Sequence, residues 1–536
     1  MRDASEPRPS LPLVSVLLCA LVSSCVPADE VPARRTTRSG SHASGGESAD
    51  DGTPRENALP ETGPLELTVE KAILASLQNN RSLRTERLSP AIRRTYVDQE
   101  RAAFDPVISA EISKERTKTE GSTGSRSDST ADTLGGGASV SAFLPTGTSV
   151  TADAEGEKLD SSLYSDEASS ATLGLTVTQA LLNGAGVRAN LASLRQARLD
   201  TFRSQWELRG FTEALVAEVE TTYWDYVLAE RQIQIYTDSL ELAEKQLGET
   251  RERIKVGGLP ETELASAQAE VAGRREQLIN ARSALVKTRL RLLRLLNPAG
   301  DSLWSRSVTP KTAPEVPEAT LDSIEKHVQV ALRMRPDLNQ AMLDIERGRL
   351  DVVKTRNGLL PKLDLFVSLG RTGYASSFGD AVEDLDGDSY GTRLGVLFEV
   401  PLGNRDARAR HARAWLSLDQ TRMAVANMTQ LAELDVRTAH VEAGRAREQI
   451  TATAATRKLK EEVLRSETEK FRVGRSTSIL VAGAQRDLVV SRIAEVEAII
   501  GYLKALIDLY RLEGSLLNRR GIQVQDAPSA ISGTAP

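Results

Sequence analysis

Cysteine acylation is the one covalent chemistry for which the sequence supplies a local pattern. Val22-Ser23-Ser24-Cys25 sets small residues directly before a thiol. This is the arrangement of a bacterial lipobox, in which the chain is cut before the cysteine and Cys25 becomes the acylated first residue. Upstream, Arg2 and Arg8 give a basic start and residues 11–22 (LPLVSVLLCALV) a short apolar run. That run is too short to span a bilayer and has the form of a cleaved signal peptide; ordinary cleavage nearby with an incidental cysteine is the alternative. Cys19 lies inside the discarded segment, so the exported chain has no disulfide framework. Val26 rather than Asp follows Cys25, as in lipoproteins sent onward to the outer membrane. Acyl chains anchor but do not span.

Other patterns imitate chemistry without supporting it. Gly184-Ala185-Gly186-Val187-Arg188-Ala189 resembles a dinucleotide-binding turn. The equivalent place further on, Leu402-Gly403-Asn404-Arg405-Asp406, lacks the pattern, and a strand-to-helix turn explains both. Asp384-Leu385-Asp386-Gly387-Asp388 begins like a calcium loop, but its Gly is misplaced and no Glu closes the frame. It reads as a solvated acidic loop. Ser323-Ile324-Glu325-Lys326 holds a Ser-x-x-Lys inside an expected helix whose counterpart carries Glu70-Lys71-Ala72. His42, His327, His411 and His440 share no ligand spacing, and the last three are expected on helix surfaces. Trp206, Tyr223 and Trp224 fall in one expected helix, where packing is their role. No catalytic residue, metal site or cofactor is assigned, and an enzyme is not expected. With 68 Lys and Arg interleaved among 74 Asp and Glu, no basic stretch marks a nucleic-acid footprint.

The elements that would position a function are long. Across 536 residues there are only 37 Gly and 21 Pro, and the middle is rich in Ala, Leu, Glu, Arg and Gln, a composition of very long helices. Residues 1–24 read as the signal, and 25–64 as an acylated Cys with a disordered tether rich in Pro, Ser, Gly and charge. The tail 521–536 reads as disordered too. Between them the chain repeats once, over 65–300 and 301–520. Each repeat opens with amphipathic helices at i, i+3, i+4, i+7 spacing, beginning near Leu67 and Leu321. Pro106 and Pro361 then mark entries to strands with period-2 alternation, near 106–116, 134–144, 147–157 and 171–179 in the first repeat and over 363–400 in the second. A tight turn, Leu144-Pro145-Thr146-Gly147, joins the middle pair, and residues 373–391 read as a long acidic loop. Next come helices over about 187–255 and 405–472, each roughly 100 Å long if unbroken. They end in matching corners, Arg253-Ile254-Lys255-Val256-Gly257 and Lys470-Phe471-Arg472-Val473-Gly474. Val-Gly is helix-closing chemistry. Returning helices start at Pro260 or near Ser476 and run to about Asn297 and Leu517. Their Ala-rich stripes call for neighbours, and strand edges in lipid must be covered by other copies.

A signal and lipobox, two tandem helix–strand–hairpin repeats and Val-Gly corners at the hairpin tips together resemble the TolC-type outer-membrane efflux protein family, over residues of about 65–518. The resemblance implies an α+β membrane protein: a homotrimeric transmembrane β-barrel in outer-membrane lipid, continued into a long α-helical periplasmic barrel. It also implies contact between the tips and a periplasmic adaptor coupled to an inner-membrane transporter, for efflux or type I secretion. Val256, Gly257, Gly258, Leu259 and Val473, Gly474, Arg475, Ser476 match the adaptor-contacting motifs; simple helix capping is the other account of them. Glu263 matches one acidic constriction position, whereas the second repeat has Leu480 and Gly483 there, with Asp487 one turn further on. A hydrophobic constriction at Leu480 would gate by dewetting. The rival expectation is a lipid-anchored periplasmic scaffold or adaptor-like coiled coil, which would carry one hairpin flanked by lipoyl-like β segments.

Overall fold

The computed structural model describes residues 63–119, 129–161, 168–298, 303–317 and 321–523, all within one unit spanning residues 57–536. The signal, Cys25 and most of the expected tether and tail lie outside these residues.

The first repeat opens with a short strand, β1 (Leu65–Leu67), and helices α1 (Val69–Asn79), α2 (Arg81–Glu86) and α3 (Ser89–Arg101). Thr68 caps α1 by accepting the Lys71 N–H through its hydroxyl at 3.2 Å. Four strands follow: β2 (Val107–Thr119), β3 (Ser129–Leu144), β4 (Thr148–Ser161) and β5 (Ala168–Ala180). The short helix α4 (Val187–Asn190) precedes the 64-residue α5 (Ala192–Lys255), and α6 (Thr262–Leu296) returns. The second repeat runs β6 (Val308–Pro310), α7 (Ile324–Met334), α8 (Pro336–Asn357), β7 (Lys362–Ala375), α9 (Phe378–Glu383), β8 (Tyr390–Glu399), the 68-residue α10 (Arg405–Arg472), α11 (Ser478–Leu512) and α12 (Leu516–Arg519).

The two helices that follow β1 and β6 end with the same backbone geometry. Helix α1 stops at Asn80 with φ −61° and ψ 123°, and α7 stops at Arg335 with φ −61° and ψ 122°. The strands opening the repeats, β1 and β6, pair with each other in parallel, Leu65 opposite Val308. Around them lies the largest apolar core, joining α1, the middle of α5, the end of α6 and the end of α11. Tyr223 and Trp224 pack here edge to face at 5.4 Å. The Tyr223 hydroxyl donates to the Leu67 carbonyl and accepts the Thr312 N–H, both at 3.1 Å. The long hairpins are therefore fastened at mid-length, and their two ends project from this belt.

Six strands form one antiparallel sheet in the order β2-β3-β4-β5-β7-β8, so the repeats meet edge to edge at β5 and β7. The turn at Leu144–Gly147 is as expected: Gly147 has φ +90°, and a Cβ there would stand 2.3 Å from the Gly184 carbonyl oxygen.

Three expectations need correction. Residues 373–391 are not a plain loop: β7 runs to Ala375, and α9 folds back over the sheet with Ala381 wholly buried. The Phe378 ring of α9 lies against Gly156, where any Cβ would strike it. Helix α5 does not begin at 187, because α4 breaks at Leu191. His327, expected on a helix surface, is buried at the start of α7, because its ring meets the fully buried Glu513 carboxylate at 2.5 Å.

Candidate functional site

Two places carry the candidate function: the sheet at one end of the molecule and the hairpin tips at the other. In the sheet, alternation and register together give two unlike faces. Ile108, Val140, Ala152, Leu175 and Leu369 are consecutive cross-strand partners on one face. Glu111, Gly137, Glu155, Thr172 and Thr372 form the corresponding row on the other. The first face stays apolar across β7 and β8, where Leu365 opposes Val396 and Val367 opposes Leu394. Many of its side chains are open, Ile112 at 86% and Leu394 at 74%. An exposed apolar band on a sheet whose reverse is polar suits a wall between lipid and water. Edges β2 and β8 have no partner among the described residues.

At the far end the two corners have one geometry. Val256 and Val473 end α5 and α10 with φ of −90° and −94°; Gly257 and Gly474 follow with φ of +72° and +74°. Gly258 donates to the Arg253 carbonyl and Arg475 to the Lys470 carbonyl, both at 2.8 Å. These are six-to-one bonds that only a left-handed residue permits, which is why each corner needs glycine. Capping is thus fully explained, yet it leaves Val256 81% and Val473 70% exposed. Leu259 and Ser476 are half-buried, and Gly258 and Arg475 exposed; Ser476 donates to Glu467 at 2.8 Å.

The constriction candidates divide. Glu263, in the first turn of α6, accepts from the Ser478 hydroxyl in the first turn of α11, so it links the two hairpins. Leu480 is 56% exposed, as is Ile479 beside it. A side chain at Gly483 would meet nothing. Asp487 is engaged by Lys460 at 2.7 Å, across the second hairpin. Sequence reasoning missed three partners. Ser478 and Glu263 both lie in the first turn of their returning helices but not at matching positions, since the corners align Glu263 with Leu480. Arg486 reaches Glu270 of α6 at 3.7 Å, a second link between the returning helices. The guanidinium of Arg253 stands 5.1 Å from the Phe471 ring centroid, linking the outer helices.

Residues 72–298 and 327–515 match the family model described as outer membrane efflux protein. The chain belongs to the outer membrane efflux protein family. A curated relative, outer membrane efflux protein BepC of Brucella suis biovar 1, is 23% identical over 364 residues, 67% of this chain and 75% of that protein. Among solved structures, the Campylobacter jejuni CmeC outer membrane channel superposes with a TM-score of 0.63 at 16% identity, covering 94% of this chain and 97% of that one. The outer-membrane channel OprN gives a TM-score of 0.64 at 18% identity, covering 83% and 90%. These structures, outer-membrane channels with a helical barrel and a β domain, share this chain's fold of long helices and a sheet. As an outer membrane efflux protein the chain works as a channel and not as an enzyme, with its sheet assigned to the outer membrane and its helices to the periplasm.

Buried charge gathers at mid-length, where no local pattern marks it. Glu220 of α5 receives Arg520 through two bonds of 2.8 and 2.6 Å, and burial still pushes its carboxyl up. Burial likewise raises Glu213 to about 7, against the pull of Arg209 at 3.5 Å. For Glu513, burial raises the carboxyl, but bonds from His327 and Ser515 and the charge of Arg519 together hold it below the usual range.

Proposed function

We propose that this chain is one of three identical subunits of an exit duct that passively conducts cargo from a periplasmic adaptor and inner-membrane transporter to the exterior. The observation that carries it is the two-faced sheet with unpaired edges. Strand β2 runs away from the helices and β8 runs back toward them, so β8 of one copy can pair antiparallel with β2 of the next. Three copies would then close a cylinder with the apolar face in lipid and the polar face around water.

Lipidation at Cys25 fits the geometry. Because Tyr223 holds β1, the chain enters about 30 residues along α5, roughly 45 Å from the sheet. The roughly 40 residues from Cys25 to Gly63 can reach on the order of 130 Å when extended, ample for acyl chains on Cys25 to sit in the same membrane. At the tips, Val256 and Val473 with their glycine turns are the farthest points from the sheet, and we assign the adaptor contact to residues 256–259 and 473–476.

Heat-modifiable trimer migration in gels and stepwise single-channel currents in planar bilayers test the duct. A chain that stays monomeric and soluble without detergent is no channel, and the scaffold reading would replace it. Closure at the tip is proposed to involve Glu263 and the exposed Leu480, with dewetting at Leu480 in place of a second acidic ring. Leu480→Asp should then raise leak conductance of reconstituted protein. Unchanged currents would remove Leu480 from the gate.

A further inference from the structure

Charge on the sheet is sorted by face as well as by position along the strands. In β2 to β5, the carboxylates of Glu111, Glu115, Asp153, Glu155 and Glu157 share the polar face, and no Lys or Arg among the described residues joins them. The basic residues of these strands, Lys114, Arg116, Lys118 and Lys158, all project from the apolar face. They lie at one end of that face, beyond the apolar band and away from the helices. Lys114 and Lys158 stand in register on either side of Leu134, which is 49% exposed. On β7 the apolar run likewise ends at Leu369, and Arg371 follows it.

The height at which the band gives way to cations can be followed across the sheet. The change falls between Ile112 and Lys114 on β2, and between Leu369 and Arg371 on β7. By register Leu369 is level with Ile108, so the boundary drops four residues, Ile112 to Ile108, over four strand steps. That is about 13 Å along the strands over about 19 Å across them, a slope of about 35°. Strands of a membrane barrel tilt by about this much. The strand ends nearest the helices shift in the same direction: β2 starts at Val107, level with Ser368, whereas β7 starts six positions earlier at Lys362. A line oblique to tilted strands is level in the membrane; Lys158, in register with Lys114 rather than two residues lower, stands above that line, and the cations lie on the lipid side at or beyond the outer end of the band.

We propose that this outward row, centred on Lys114, Arg116, Lys118 and Lys158, binds the phosphate groups of outer-leaflet lipid. The inference rests on the sheet spanning the outer membrane. Among the described residues of β2 to β5 that face carries these four cations and two carboxylates, Asp132 and Asp160. Arg116 meets Asp132 at 3.4 Å and Arg371 meets Asp386 at 3.7 Å, both loose and exposed pairs of a kind worth about 1 kcal/mol or less, and Asp160 lies opposite Asp132. Lysine ammoniums above an apolar wall can reach phosphate while their stems cover acyl chain.

The test uses detergent-solubilised full-length protein and two probes, lipid A bearing both phosphates and the same lipid A dephosphorylated, with binding followed by native mass spectrometry. Wild type should retain the phosphorylated form preferentially. The combined substitution Lys114→Gln, Arg116→Gln, Lys118→Gln, Lys158→Gln should weaken that form by about tenfold or more and leave the dephosphorylated form unchanged. Glu111→Gln with Glu155→Gln, on the opposite face, should change neither. Equal retention of both lipids by wild type overturns the proposal without recourse to any variant, as does a quadruple variant that binds like wild type. Should the protein fail to insert into liposomes at all, the membrane-spanning reading falls instead.

Discussion

Glu213→Gln is expected to flatten the pH dependence of unfolding, with little change at pH 4.5 and a gain in stability at pH 8. The carboxyl is 2% exposed, and burial raises it from 4.5 to about 7 despite Arg209. The folded chain therefore holds a proton that the unfolded chain has released. A raised acid of this kind costs nothing below the unfolded value, and its penalty grows as pH climbs from 4.5 to 7 and is constant beyond. At 1.36 kcal/mol per pH unit that penalty reaches about 3 kcal/mol. Glutamine mimics the protonated form. Arg209 keeps its place against the Trp206 ring, 5.5 Å from the centroid, and near the Gly514 carbonyl at 3.4 Å. Glu220 shifts in the same direction and Glu513 in the opposite one, so the readout is the melting-temperature difference between variant and wild type at each pH. A difference that is the same at pH 4.5 and pH 8 would show that folding does not raise the Glu213 carboxyl.

The largest functional effect is expected at the links between returning helices. Glu263→Ala with Arg486→Ala removes both the Ser478 bond and the Arg486–Glu270 pair, and leaves Glu270 to hold the buried Arg274 at 2.6 Å. A hydrogen bond to a charged group contributes about 1.5–3 kcal/mol, and a loose exposed pair about 1 kcal/mol or less. Each 1.4 kcal/mol is a factor of ten in an equilibrium. If the tip opens by twisting one hairpin against the other, the links favour the closed arrangement, and in the proposed trimer three copies of each would multiply the effect. Open probability in planar bilayers should rise by about tenfold or more, while the same protein's melting temperature, set by the mid-length core, should hardly move. An open probability equal to wild type would mean that the hairpins do not part here.

Much of this architecture was legible because it is written in periodicities. Six strands appear where period-2 alternation placed them, and the long helices end at Val256 and Val473, where Val-Gly closes them. The lapses have physical causes. Helix α9 has only six residues, too few for a period to declare itself, and it is held by Phe378 on Gly156 of β4, a contact between residues more than two hundred positions apart. His327 looked like a surface residue because its helix is amphipathic and its partner, Glu513, lies in the other end of the repeat. Asp487 reads as a constriction candidate in sequence because nothing local reveals that Lys460 comes opposite when α10 and α11 fold together. Pairings made across a hairpin or between repeats depend on the turn of each helix, and composition carries no record of that.

The junction of β5 with β7 bears on how such a chain is made. Twelve cross-strand pairs from Ser169–Ala375 to Ala180–Asp364 join strands separated by some two hundred residues of polypeptide. During export the first half emerges with β5 complete and its outer edge bare until the second half has crossed the inner membrane. A bare edge of this length is a template for mispairing. Biogenesis should therefore depend on periplasmic holdases that shield β5 through this interval, and depletion of them should hurt this chain more than a barrel whose neighbouring strands are all consecutive.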